Sequence, residues 1–88
     1  MNKTIELNGS LQDAVANYSK SIARAAFMYL KNTADAEDIT QEVFLALLEK
    51  QPHFESEEHL KAWLLRVAIN KSKNALKSGW LTRTLPLF

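Results

Sequence analysis

The chain has 88 residues, 47% of them hydrophobic, with 11 basic and 10 acidic residues for a net charge of +1. That composition describes one small, thin-cored domain rather than a disordered chain, with an expected stability of roughly 3–5 kcal/mol. The absence of cysteine excludes disulfides and thiolate metal sites, and no apolar run suits a signal peptide or a membrane span, so the expected compartment is the cytoplasm.

Residues 1–9 read as a flexible polar tail closed by Gly9. The first apolar period follows, from about Ser10 to Lys31. Leu11, Val15, Tyr18, Ile22, Ala26 and Tyr29 recur at steps of three and four and make one helix face, which Phe27 and Leu30 widen. Ser10 is the expected N-cap. Ser19 and Ser21 are weak helix formers and leave room for a break near Tyr18–Ser21.

A second period runs from about Ala34 to Lys50. Ile39, Val43 and Leu47 form one apolar row, and Phe44 with Leu48 the next. Thr33 is the expected cap. Asp35, Glu37 and Asp38 crowd the first turn, where the helix dipole favours negative charge. Pro52 interrupts the pattern. The third period runs from about Glu57 to Ser78, with Ser56 as cap and Gly79 placed as a C-cap glycine. Leu64, Leu65, Ala68, Ile69, Ser72, Ala75 and Leu76 share its apolar arc. No strand-like alternation is present, so the expected class is all-α, a small bundle of three main helices.

Charge is divided unevenly along this layout. Residues 1–58 carry five bases and all ten acids; residues 59–88 carry six bases and no acid. The polar arc of the third helix holds Arg66, Asn70, Lys73, Asn74 and Lys77, with Lys71 at its edge and Trp63 on the same side. Lysine and arginine there would meet phosphates. Asparagine carries a donor and an acceptor, the pair that reading a base edge requires. Trp63 suits either stacking on an unpaired base or the rim of the core. A merely solvated helix face usually mixes signs, because i,i+4 pairs favour it, and this one does not. On the second helix, Asp35, Asp38, Gln41, Glu42 and Leu45 form an acidic stripe with one leucine, suited to a basic partner helix.

The segment around His53, Glu55, Glu57, Glu58 and His59 lacks metal-ligand spacing. It reads instead as a turn closed by Phe54 packing on the core. No nucleophile elbow, phosphate loop or dinucleotide turn is present, so neither an enzyme nor a cofactor site is expected.

Two segments then resemble a known family. Asp35-Ala36-Glu37-Asp38-Ile39-Thr40-Gln41-Glu42-Val43-Phe44-Leu45 resembles the DAED-x-x-QE-x-F-L signature of bacterial sigma factors of the extracytoplasmic-function group. Leu60-Lys61-Ala62-Trp63-Leu64-Leu65-Arg66-Val67-Ala68-Ile69-Asn70 resembles their AWL-x-R-[IV]-A-x-N stretch. The resemblance spans about residues 10–83. It implies a region-two helical domain over 10–80, docking through Asp38, Gln41, Glu42 and Leu45 on the coiled coil of the largest RNA polymerase subunit. It also implies that the loop and helix after that motif capture the non-template strand of the promoter's minus-ten element. The matching positions are Phe54 to Leu60, then Trp63, Arg66, Asn70, Lys71, Lys73, Asn74 and Lys77. Core RNA polymerase and promoter DNA are the implied partners, with an anti-sigma factor a further one. Relatives continue into a helix-turn-helix domain, residues 81–88 resemble the start of the linker to it, and the expectation is either an excised domain or a truncated relative. The glutamates of the loop sit awkwardly against phosphate. The alternative from the residues alone is a stand-alone helical module that sequesters a regulator and binds no DNA.

Overall fold

The computed structural model describes residues 7–78, with side chains from residue 12 onward. Gly79 and the 81–88 segment lie outside the described residues. Three helices follow one another: α1 (Leu7–Leu30), α2 (Thr33–Lys50) and α3 (Glu57–Lys77). Among the described residues there is no strand, and the all-α expectation is borne out. No described helix is long and apolar enough to cross a membrane.

α1 differs from expectation at two places. It runs through Gly9 and Ser10, so Ser10 is not its cap, and it is continuous across Tyr18–Ser21. The reason is tertiary. Ile22 is fully buried beside the weak serines, and packing of an apolar face outweighs a few tenths of a kcal/mol of propensity per residue. The helix closes at Lys31, which takes the left-handed conformation (φ 57°) and donates its N–H to the Phe27 carbonyl at 2.8 Å. This is a C-terminal closure without glycine.

Asn32, not Thr33, caps α2. Its extended backbone (φ −147°) lets Oδ1 accept from the Asp35 N–H at 2.9 Å, supplying one of the orphan donors of the first turn. Two residues thus reverse the chain between α1 and α2. At the far end Gln51 is again left-handed (φ 42°, ψ 56°), its N–H bonded to the Leu47 carbonyl, and Pro52 follows where a helix cannot continue. α3 begins as expected: Ser56 Oγ accepts from the His59 N–H at 3.0 Å, and Glu57 and Glu58 lie in the first turn.

The core gathers one stripe from each helix. Ile22, Ala26 and Leu30 come from α1, Ile39, Val43 and Leu47 from α2, and Leu60, Leu64 and Ala68 from α3. Phe54, from the α2–α3 connection, is wholly buried among them. Phe27, expected to widen the α1 face inward, is 42% exposed instead. Thr40 is buried and donates from Oγ1 to the Ala36 carbonyl at 2.8 Å. Ser72 is buried still more completely on α3, but its Oγ has no partner. An unpaired buried hydroxyl costs on the order of 1–3 kcal/mol, part of which a small void returns on its removal. Ser72→Ala is therefore expected to raise stability by about 1 kcal/mol, read as a higher urea midpoint at unchanged slope.

Candidate nucleic-acid and protein interfaces

α3 turns its apolar arc to the core and leaves Arg66, Asn70, Lys73 and Lys77 exposed. Their i, i+4, i+7, i+11 spacing strings them along one ridge about 16 Å long. None of these three cations has an ion-pair partner among the described residues. They stand as free positive charge with an asparagine between them. Asn74 is also exposed, one row toward α2, where it lines an open depression with Glu42, Lys71, Ala75 and Ser78.

Two further expected members lie at the margins of this ridge. Lys71 leans toward α2, and its Nζ lies 3.7 Å from Glu42 Oε1, with the two side chains 34% and 48% exposed. A long aliphatic stem lets lysine occupy a half-buried position while its charge reaches outward. Trp63 is half-buried against the core, its ring edge-on to Phe54 at 5.8 Å and 72°. It sits at the rim of the core, one of the two places its position allowed.

The connection before α3 is held from beneath. Phe54 packs edge-on against His59 as well, at 5.3 Å and 84°, and the Glu55 N–H donates to His59 Nδ1 at 3.3 Å. Phe54 and Leu60 are buried and present no surface to a strand, whereas Glu55 to His59 are exposed. Tyr18 ties this end of α3 to α1 by donating its hydroxyl to Glu57 Oε1 at 2.9 Å. Burial, and then the neighbouring Glu57 carboxylate, push the Tyr18 phenol above its usual value. No cluster of metal-ligating residues occurs among the described residues.

On α2, Asp38, Gln41 and Leu45 are exposed on the outer face, Leu45 to 56%. Glu42 lies to their side, on the flank facing α3, where it meets Lys71. The structure thus groups three of the four expected docking residues and sends the fourth across to the basic helix. Sequence reasoning misses an apolar depression beside this face, which Val15, Phe44, Leu45 and Leu48 help to line. Val15 and Leu48 fall in the core rows by spacing, because periodicity alone does not tell a covered part of a row from an uncovered one.

An acidic outer face on one helix and an acid-free basic face on the next, in a three-helix domain, fit the class that the two motifs suggest. Residues 14–82 match the family model for sigma-70 region 2, and the chain belongs to that family. It is similar to the RNA polymerase sigma factor NccH of Alcaligenes xylosoxydans xylosoxydans, 28% identical over 60 residues. The matched stretch covers 68% of this chain and 32% of that relative, so the chain spans about a third of the length of the protein it resembles. No solved structure matches.

Proposed function

We propose that this domain is the promoter-recognition part of a sigma factor of the extracytoplasmic-function group. In this reading the outer face of α2 docks on the coiled coil of the largest subunit of core RNA polymerase. The outer face of α3 then holds the non-template strand of the minus-ten element as the duplex opens. The observation that carries the reading is the α3 ridge: free cations interleaved with asparagine, on a helix whose sequence matches the family there. Arg66, Lys73 and Lys77 grip phosphates and carry no sequence information. Asn70 and Asn74 read base edges by paired donor and acceptor. Trp63, half-buried against Phe54 at the start of the ridge, stacks on an extruded base, whose binding offsets part of the few kcal/mol of unstacking. Lys71 already faces a carboxylate, so a phosphate there competes with Glu42.

Single-stranded minus-ten oligonucleotides test the division of labour. Asn70→Ala and Asn74→Ala are expected to lower discrimination among base sequences by about 1–3 kcal/mol per contact. A uniform loss over all sequences would remove the reading role. Lys73→Ala and Lys77→Ala are expected to weaken binding to every sequence alike and to reduce the log–log salt slope by about 0.7 for each phosphate left without its cation. An unchanged slope would count against phosphate binding by these lysines. A domain that binds core polymerase or a regulator but no oligonucleotide would be an interaction module instead.

A further inference from the structure

The start of α3 carries the beginning of the proposed strand-binding ridge, yet helix ends are the parts of a helix that open most readily. Two contacts hold it from its own connection. Ser56 caps the His59 N–H, and the buried Phe54 ring meets His59 and Trp63 edge-on. A third contact comes from α1, where the Tyr18 hydroxyl donates to Glu57 Oε1 at 2.9 Å. Tyrosine suits this place, because its ring packs on the core while its polar tip reaches the surface. Burial and the Glu57 carboxylate hold the phenol above its usual value, so it keeps its proton and stays a donor through the neutral range.

The direction of this bond matters. Glu57 is the first residue of α3, nine positions before Arg66. At 3.6 residues per turn that is about two and a half turns, which puts Glu57 on the side of α3 opposite the ridge of Arg66, Asn70, Lys73 and Lys77. The bond therefore braces the helix start from behind and occupies none of the surface offered to a strand. The same placement keeps one of the glutamates that sit awkwardly against phosphate on the far side of the helix.

We propose that Tyr18 is a positioning residue for strand binding: through Glu57 it holds the start of α3, and with it the Trp63 ring, in the orientation that stacks on an extruded base. Tyr18 itself touches no nucleotide. The proposal rests on the reading of α3 as the strand-binding helix and adds to it a residue of α1, which neither motif marks.

The test measures binding of the whole chain to a labelled single-stranded minus-ten oligonucleotide. Tyr18→Phe keeps the ring and removes only the donor, and it is expected to bind about 3- to 5-fold more weakly, the range that one hydrogen bond supports. Glu57→Gln and Glu57→Ala both remove the charge, but only glutamine keeps an acceptor oxygen. Adding Tyr18→Phe is therefore expected to weaken the Glu57→Gln variant further and to leave the Glu57→Ala variant unchanged. In a Trp80→Phe background Trp63 is the sole tryptophan, and Tyr18→Phe should shift its emission to the red while the melting midpoint moves by no more than a few degrees. If Tyr18→Phe binds as the parent does, or if its loss persists in full on Glu57→Ala, Tyr18 has no positioning role through Glu57. A lowered midpoint with unchanged Trp63 emission would make the bond a contact of the fold alone and overturn the proposal as well. If the parent chain binds no oligonucleotide, the strand-binding reading fails and the proposal with it.

Discussion

Phe54→Ala is expected to leave the domain largely unfolded at 25 °C. Phe54 is the largest fully buried side chain among the described residues, and it lies in the connection between α2 and α3 rather than in a helix. Truncating a buried phenylalanine costs about 3–5 kcal/mol through forfeited transfer energy and the void left behind. A domain of this length holds roughly that much in total. The damage is also concentrated, because the ring supports His59 and Trp63 edge-on and so fixes how α3 starts. Circular dichroism with urea titration reads the outcome: weak helical signal and no cooperative transition. A variant that melts cooperatively within a few degrees of the parent would show that the connection is not a keystone. Phe54→Leu keeps most of the volume, and its expected cost is only about 1 kcal/mol.

Asp38→Lys is expected to abolish docking on core polymerase while folding and single-strand binding stay intact. Asp38 is exposed on α2 with no ion-pair partner among the described residues, so its replacement disturbs no packing. Against a basic partner helix, the reversal exchanges an attraction for a repulsion, and juxtaposed like charges cost several kcal/mol. That corresponds to about a 100-fold loss or more. The neutral Asp38→Asn is expected to lose less, and its deficit should narrow in high salt. Polymerase pull-down and fluorescence anisotropy with a labelled strand separate the two activities. Equal loss of both would point to a folding defect; equal retention would remove Asp38 from the interface.

Much of this molecule is legible in its residues, and the gaps have physical causes. α3 is open to reading from both ends: Ser56 is a good cap, two glutamates follow it, and the apolar arc repeats cleanly to Ala75. The cap of α2 is harder. Asn32 and Thr33 are both capping types in adjacent positions, and propensity does not choose between them; the Asp35 N–H selects Asn32. The two left-handed residues, Lys31 and Gln51, carry no sequence mark, because a glycine would announce that conformation and neither position has one. Chain reversal at both places is imposed by the helices that must pack on either side.

Lys71 shows the limit for the site. A lysine is counted with the polar arc by its charge, yet its place on the helix adjoins Ser72 and Ala68, and its long stem carries the ammonium to Glu42. Residue class and residue direction disagree there, and only the structure resolves them. Phe27 fails in the opposite sense: its apolar class points inward, and the packing leaves it 42% exposed.

α1 carries none of the residues that the two motifs mark for polymerase or DNA. Even so, α2 and α3 each pack more extensively on α1 than on one another. It is the mount on which two heads are fixed, and the angle between them is set where it meets each. Alanines at those seams, Ala26 on α1, Ala36 on α2 and Ala68 on α3, are almost wholly enclosed, and small side chains let helix axes approach closely. A bulkier residue at such a seam would rotate one outer face against the other without altering either. If the two faces bind as proposed, the alignment of a strand on one with a partner on the other is a matter of gauge, governed by side chains that meet neither.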